Sequence, residues 1–331
     1  MRTGVDMRGY EDSGLESGLR DTDVERGPSK PGPAMPPCPE WVRRPERSNT
    51  LALRVIVWVA LKLGRPAARL LLYPVCLYFL IFSSASYAAS KKYLRKVLAR
   101  EPGIADAFRH CHAFAATVLD RVFLFNDQYA RFDVRVHDED ILADLMARGE
   151  GCFLLGAHMG SFEIIRALGR RNTGVRISLV MYEENARKFH SVLGAINPGL
   201  HLQVISLGKI DSMLKVEAAL KRGEIVGMLG DRTFQGEGTV VCRFLGEQAR
   251  FPNGPFRLAA MLKRPMVLMF GLYRGGNRYD IYFERLADTW QTPRAARDLL
   301  LERALHRYVE RLEYYCRDAP YNWYNFYDFW R

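Results

Sequence analysis

The feature that most constrains the fold is an alternation that begins near residue 151. Short apolar segments bounded by Gly, Pro or charged residues alternate there with segments whose apolar residues recur at helical spacing. Short apolar runs of this kind are typical of buried strands, and their alternation with helices indicates a mostly parallel sheet covered on both faces. We therefore predict the α/β class, with a mostly parallel central sheet flanked by helices.

The alternation also gives the order of the elements. Strands are predicted at 152–157, 175–182, 202–207, 224–230 and 265–273, with an antiparallel partner at 279–286. Helices are predicted at 104–127, 161–171, 186–196, 212–222, 254–262 and 294–317. We assign residues 101–331 to this one domain.

The sequence before this domain divides into two parts. Residues 1–45 are rich in Gly, Pro and charge without a sustained period, so we predict a disordered extension. Residues 46–100 contain two apolar blocks split by KLGRPAAR, and the second block, 70–90, is uncharged and about as long as a bilayer span. We predict a membrane-associated helical region, either spanning or interfacial; a buried helical hairpin is the alternative.

Composition limits the partners. The chain has 48 Lys and Arg against 37 Asp and Glu, and a formal net charge of +11. This balance favours anionic partners such as phospholipid headgroups or an acidic carrier protein. No nucleic-acid-binding motif accompanies the charge, so we expect no nucleic acid partner. The six cysteines form no CxxC pair, and we expect reduced core thiols and no metal site.

The segment GAHMGSFE, residues 156–163, places two titratable side chains where a strand is predicted to end. Reactive residues of parallel α/β sheets collect beyond the carboxyl ends of the strands, and Asp231 follows a second predicted strand. Side chains five residues apart on one straight helix point about 140° apart. His158 and Glu163 can therefore meet only if the chain bends between them, and Gly160 would allow that bend.

A carboxylate at one imidazole nitrogen would fix the tautomer and leave the other nitrogen to take a proton from a hydroxyl. We expect Glu163 to hold His158 in this way, as a His–Glu dyad that acts as a general base. The spacing alone is more typical of a structural histidine that is satisfied in the core.

Four segments, in order, carry a resemblance to a known family. HMGSFE resembles the HX4(D/E) motif of glycerolipid acyltransferases, and its GAHMGSFE form is similar to the bacterial branch that adds lauroyl or myristoyl chains to lipid A. MLGDR at 228–232, FLGEQARFPNGPFRLA at 244–259 and the terminal NWYNFYDFW resemble further segments of that branch. The resemblance extends over roughly residues 48–331.

The resemblance implies an O-acyltransferase of lipopolysaccharide synthesis. A fatty acyl chain would pass from an acyl carrier protein or CoA thioester to a hydroxyl of a lipid A precursor or related glycolipid or lysolipid. The enzyme would work at the bacterial inner membrane, with its catalytic domain on the cytoplasmic side, and without a metal or organic cofactor. His158 would be the general base and Glu163 its orienting carboxylate.

The resemblance also assigns residues around this pair. Asp231, Arg232 and Gly160 would stabilise the oxyanion and other developing charge. A second set, at 253–257, would bind the acceptor headgroup: Asn253, Gly254 and Arg257. Alternatives from the residues alone are an ion pair of Arg232 with Glu163 or Asp231, a solvated Arg257 and a simple turn at Asn253.

One segment bears on the identity of the acyl acceptor. The sequence Asp-Arg-Thr-Phe at 231–234 departs from the fuller acidic or histidine-containing run of the lipid A branch, so a polyene, ornithine or phospholipid acceptor is an alternative. A thioesterase and a non-catalytic lipid-binding scaffold are further alternatives. The aromatic tail, with seven aromatic residues in 321–330, is expected to cap the core or to form an interfacial anchor.

Overall fold

The computed structural model describes residues 50–165, 176–197, 199–200, 203–208, 211–233, 236–288, 290 and 294–330. The extension predicted to be disordered, 1–45, lies outside these residues. So does the second half of the helix predicted at 161–171, whose described part contains a 3-10 turn at Glu163–Ile165.

The described helices follow the predicted periodicity closely. The amphipathic helix predicted at 104–127 spans Ile104–Leu124, and the long C-terminal helix spans Arg294–Asp318. In chain order the helices are α1 Thr50–Phe82, α2 Ser84–Leu98, α3 Ile104–Leu124, α4 Asp140–Ala147, α5 Glu183–Ile196, α6 Ser212–Lys221, α7 Gly254–Leu262 and α8 Arg294–Asp318.

The described strands form a seven-stranded sheet and a separate hairpin. The strands are β1 Asp133–His137, β2 Cys152–Gly156, β3 Ile177–Tyr182, β4 Val204–Leu207, β5 Ile225–Leu229, β6 Thr239–Phe244, β7 Glu247–Pro252, β8 Met266–Tyr273 and β9 Arg278–Ala287. The sheet order is β1-β9-β8-β2-β5-β3-β4, and β6 pairs with β7 in the antiparallel hairpin.

The α/β prediction is confirmed. The strands β8, β2, β5, β3 and β4 are mutually parallel, and β9 runs antiparallel to β8 as predicted. Every residue of β2 is buried, because helices cover both faces of the central strands. The edge strand β1 and the β6–β7 hairpin have no counterpart among the predicted elements.

The register of β2 and β5 determines where the reactive residues lie. Gly156, the last residue of β2, is paired with Leu229, the last residue of β5. The Gly230 N–H donates to the Gly156 carbonyl at 3.0 Å, so the two chains are still side by side as they leave the sheet. Two residues beyond each strand end come His158 and Asp231, which the parallel register therefore makes neighbours.

The N-terminal helices are bent twice. Within α1 the backbone is non-helical at Gly64, with φ 85° and ψ 172°, inside the KLGRPAAR break between the two apolar blocks. A second bend of 97° separates α1 from α2. Among the described residues no single helix is long and apolar enough to cross a membrane. The bent pair α1–α2 reaches that length and apolar content only when both helices are counted together.

The helix α1 packs on α3 and is anchored to the sheet domain by charge. Its second half buries Ala68, Leu72 and Cys76, at helical spacing. Arg65 donates to both carboxylate oxygens of buried Asp120, at 2.7 and 2.8 Å. One of the basic residues that precede the second apolar block is therefore bound to α3.

Candidate active site

His158 follows β2 at a sharp turn of the chain. Gly160 has φ +58°, and a Cβ there would collide with the Gly271 carbonyl. Only glycine combines this backbone conformation with so close an approach to β8. The predicted bend after His158 is therefore present, and it directs the imidazole out of the sheet and into a cavity.

The carboxylate that holds His158 is that of Asp231. The imidazole Nδ1 lies 2.8 Å from Asp231 Oδ1, and the His158 backbone N–H donates to Asp231 Oδ2 at 3.0 Å. The indole N–H of Trp323 donates to the same Oδ2 at 2.9 Å. The Asp231 side chain is 2 % exposed, so these three donors surround a buried carboxylate.

The expected contact between Glu163 and His158 is corrected by this geometry. Glu163 Oε1 lies 2.9 Å from Arg121 Nε of α3, and Ser161 Oγ donates to Glu163 Oε2 at 3.3 Å. The bend after His158 places Glu163 in the following 3-10 turn, where the Arg121 guanidinium attracts its carboxylate. The neighbouring position at the imidazole belongs to Asp231, because the register of β2 and β5 places it there.

Electrostatics keep the His158–Asp231 pair, called the dyad from here on, ready to accept a proton. Burial, and next the positive charge of Arg232, lower the pKa of His158 below its ordinary value, although Asp231 acts in the opposite direction. Burial opposes ionisation of Asp231, but the His158 and Arg232 charges and the donors around it hold the pKa of Asp231 at about 2. At neutral pH the pair is thus a neutral imidazole beside an ionised carboxylate.

The ring nitrogen Nε2 is the one left for chemistry. Because the ionised Asp231 can only accept, Nδ1 carries the hydrogen and Nε2 carries the lone pair. Within the described part of the chain, the imidazole makes its hydrogen bond through Nδ1, to Asp231. His158 lines the cavity, so Nε2 is the nitrogen available to a hydroxyl there.

The two residues predicted to stabilise charge with Asp231 have different surroundings. Arg232 lines the cavity, donates to the Tyr324 carbonyl at 3.1 Å and lies 5.6 Å from the centre of the Tyr327 ring. The Gly160 N–H instead donates to the Asn322 carbonyl at 2.8 Å. Gly160 therefore shapes the turn, and its N–H is not available to an oxyanion, contrary to the expectation.

The cavity has a volume of about 1050 Å³ and a mostly apolar wall. The ring of Phe162 forms part of the wall by packing on the glycines of two strands: a Cβ on Gly156 or Gly227 would approach it to 2.9 or 2.8 Å. The other large apolar side chains of the wall are Phe125, Ile165, Ile177, Leu179, Val180, Met181, Phe189, Val192, Leu207, Met213, Met228, Leu229, Leu258, Met261 and Leu301.

The predicted headgroup residues line the same cavity as His158. Asn253, Gly254 and Arg257 lie at the start of α7, and the Arg257 N–H donates to the Asn253 carbonyl at 3.0 Å. Pro255 follows directly, a position where its missing N–H costs nothing. The carboxylate of Glu237 also lies against Gly254, a contact that no sequence pattern predicts.

Two contributors to the site were not predicted. Arg121 lies on α3, far from any motif, and reaches the cavity because α3 packs beside the 3-10 turn Glu163–Ile165. Trp323 belongs to an aromatic tail whose composition indicates burial but not a hydrogen bond to a carboxylate. No spacing rule relates either residue to His158, because each contact depends on how distant segments pack.

Fold and site together define a class: an α/β protein with a His–carboxylate pair at the end of a central strand, open to a large apolar cavity. The chain belongs to the bacterial lipid A biosynthesis acyltransferase family, whose model matches residues 41–330. The resemblance seen in the sequence is thereby confirmed, and membership supports acyl transfer as the reaction. A search of curated proteins returns no significant match.

Proposed function

We propose that the protein transfers a fatty acyl chain from an acyl carrier protein or CoA thioester to a hydroxyl of a lipid A precursor or related glycolipid. The observation that carries this proposal is the His158–Asp231 pair beside an apolar cavity of about 1050 Å³. A cavity of this size and polarity suits an acyl chain, and the basic nitrogen at its wall suits activation of a hydroxyl.

The reaction proceeds by direct attack of the acceptor. The acceptor hydroxyl gives its proton to His158 Nε2 as its oxygen bonds to the thioester carbonyl carbon. The tetrahedral intermediate then collapses, the C–S bond breaks, and the thiolate takes the proton back from Nε2. Asp231 fixes the Nδ1–H tautomer and stabilises the imidazolium between the two proton transfers.

The oxyanion of that intermediate requires a donor or a cation. We assign this role to Arg232, which lines the cavity with His158, while its neighbour Asp231 serves the imidazole. Glu163 retains a supporting role in place of the expected dyad role: it pairs with Arg121 and holds that cation at the cavity wall.

The acceptor headgroup is proposed to bind at the start of α7. Asn253 offers an amide, Gly254 allows close approach of the backbone, and Arg257 offers a cation near the first turn of the helix. A helix N-terminus and a guanidinium both favour a phosphate or other anionic group. Glu237, beside Gly254, would instead favour a sugar hydroxyl or amine at this point.

We further propose that α1 and α2 attach the protein to the cytoplasmic face of the bacterial inner membrane. Many apolar side chains of α1 are exposed, and exposed apolar side chains grouped on one helix favour contact with a lipid surface. The most exposed of them are Val55, Trp58, Leu63, Leu70, Tyr73, Leu77, Tyr78, Ile81 and Phe82. The net charge of +11 would assist binding to anionic lipid and to an acidic carrier protein.

The test uses purified full-length protein and an acyl carrier protein that bears a radiolabelled acyl chain, with and without a bacterial lipid extract. We expect label to enter lipid, and His158→Ala to reduce that rate about 10²- to 10⁴-fold. His306→Ala, which changes an exposed histidine on α8, is the matched control and is expected to keep full activity.

The other outcomes identify the alternatives. Release of free fatty acid that is unaffected by added lipid would replace the transferase with a thioesterase. Binding of the acylated carrier without turnover would indicate a non-catalytic scaffold. Mass spectrometry of the labelled lipid distinguishes a lipid A precursor from a polyene, ornithine or phospholipid acceptor.

A further inference from the structure

The tail, residues 319–330, supplies contacts to the site from three successive residues. The Asn322 carbonyl accepts the Gly160 N–H at 2.8 Å, and the Tyr324 N–H donates to the His158 carbonyl at 2.8 Å. Between them, the Trp323 indole donates to Asp231 Oδ2 at 2.9 Å. Among these contacts only that of Trp323 reaches a side chain of the dyad.

Packing holds the Trp323 indole firmly. The side chain is 1 % exposed, and the rings of Tyr93, Phe244 and Phe329 meet it edge-on, with centroids 5.1, 5.2 and 4.9 Å away. Edge-to-face contacts with three neighbours fix both the position and the tilt of the ring. These ring contacts therefore fix the direction of the indole N–H independently of its hydrogen bond to Asp231.

The backbone of Trp323 is fixed as well. His110 Nε2 lies 2.8 Å from the Trp323 carbonyl, and Ser90 Oγ lies 2.8 Å from His110 Nδ1. A carbonyl can only accept, so Nε2 carries the hydrogen and Nδ1 accepts from the Ser90 hydroxyl. Burial lowers the pKa of His110 to about 4, so this chain of hydrogen bonds stays neutral and intact at working pH.

Asp231 needs such a donor, because the terminal torsion of an aspartate is soft. The His158 backbone N–H alone would leave the carboxylate free to rotate about that single bond. A second donor on Oδ2, in a direction set by a clamped ring, leaves Oδ1 pointing at the imidazole Nδ1. Trp323 thus determines which carboxylate oxygen faces the imidazole.

We propose that Trp323 is a positioning residue for acyl transfer: its indole N–H orients the Asp231 carboxylate and, through it, the His158 imidazole. The inference rests on the proposed function of the His158–Asp231 pair. It gives the aromatic tail a part in the chemistry in addition to its part in the core.

The experiment compares Trp323→Phe with Trp290→Phe in the full-length protein. Both variants keep a buried ring and lose one indole N–H; that of Trp290 donates to the Arg264 carbonyl at 2.9 Å and touches no member of the dyad. We expect Trp323→Phe to lower kcat about ten- to a hundredfold, as for a hydrogen bond to a charged group, with KM for both substrates within twofold. Trp290→Phe should keep kcat within twofold.

The pH profile separates positioning from packing. A mobile Asp231 raises the pKa of His158 less, so the acid limb of the kcat profile should move to lower pH in Trp323→Phe and stay in place in Trp290→Phe. If Trp323→Phe does not fold, β-(3-benzothienyl)alanine at position 323 keeps the shape of the indole and lacks only the N–H.

The proposal is overturned if kcat stays within twofold, or if both variants lose activity only in step with thermal stability and with unchanged profiles. His158→Ala is measured alongside. Full activity of His158→Ala would refute the proposed function itself, whereas an inactive His158→Ala beside a fully active Trp323→Phe refutes only the positioning role.

Discussion

The tail and the helix α1 are both rich in aromatic residues, yet they bury them to opposite degrees. In the tail, Trp323 and Phe329 are 1 % and 8 % exposed. In α1, Trp58 and Phe82 are 57 % and 59 % exposed. Both segments were candidates for membrane contact on composition; the structure places most of the tail in the core, whereas α1 leaves many of its apolar side chains exposed.

The difference lies in what each segment provides for its polar groups. The tail distributes its backbone and side-chain donors among residues of the site and of β8; Asn322, for example, exchanges two hydrogen bonds with the Tyr273 backbone. The helix α1 satisfies most of its backbone through helical hydrogen bonds, apart from the break at Gly64, and buries only part of its surface, largely against α3. Aromatic content therefore does not distinguish the two segments, whereas the number of non-helical polar groups that need partners does.

The largest expected effect is on the carboxylate that the tail holds. We expect Asp231→Asn to lower kcat about 10³-fold or more, because an amide no longer enforces the Nδ1–H tautomer or stabilises the imidazolium. Steady-state kinetics with the acyl carrier thioester measure this loss.

Glu163→Gln is the matched comparison, since it neutralises the other carboxylate near His158. Glu163 is paired with Arg121, so we expect a loss of about tenfold or less from the weaker hold on that cation. Equal losses in the two variants would mean that Glu163 reaches the imidazole during turnover and would restore the dyad expected from the sequence.

Much of the site was predictable because strand ends are predictable. The alternation of strands and helices located His158 and Asp231 beyond two strand ends, and a parallel register then made them neighbours. The choice of carboxylate was not predictable in the same way. Glu163 is near His158 in sequence, but its direction depends on the turn after Gly160 and on Arg121, which comes from a helix that no local pattern connects to the motif.

The parts of the fold that were not predicted also depend on contacts between distant segments. The strand β1 has a mostly exposed or half-buried pattern and lies at a sheet edge, so its short sequence lacks the apolar run of a central strand. The position of the tail depends on an isolated bridge between Met159 and Trp323, two residues far apart in the chain. Apolar periodicity indicates which face of a single element is buried. It does not indicate which distant segments pack together, and these contacts depend on that packing.

The next prediction concerns the exposed apolar side chains of α1. We expect the triple variant Trp58→Ser, Leu70→Ser, Phe82→Ser to bind anionic phospholipid vesicles at least about tenfold more weakly, since three apolar side chains no longer enter the interface. Its thermal stability should hardly change, because exposed positions contribute about 0.5 kcal/mol or less each. Vesicle co-sedimentation and thermal unfolding measure the two quantities.

A matched control changes three exposed apolar residues outside the helix pair: Leu214, Leu299 and Tyr314, each to Ser. This variant is expected to bind vesicles like the unchanged protein. Equal weakening in both triple variants would show that overall hydrophobicity, and not the face of α1, determines membrane binding.

The smallest expected effect is a shift of the pH profile of activity. It tests the electrostatic action of Arg232, which lies between the tail and the dyad, on His158. Arg232 donates to the Tyr324 carbonyl, and its positive charge, after burial, is the next largest cause that lowers the pKa of His158. Transfer requires neutral His158, so activity falls as pH drops through that pKa. Arg232→Gln removes the charge and allows the pKa of His158 to rise, which moves the acid limb of the kcat/KM profile to higher pH.

Arg250→Gln, which removes a cation from an exposed position on β7, should leave the limb in place. A limb that stays in place or moves to lower pH in Arg232→Gln would mean that the guanidinium does not act on the imidazole, and its effect on kcat would then report only its contact with the substrate.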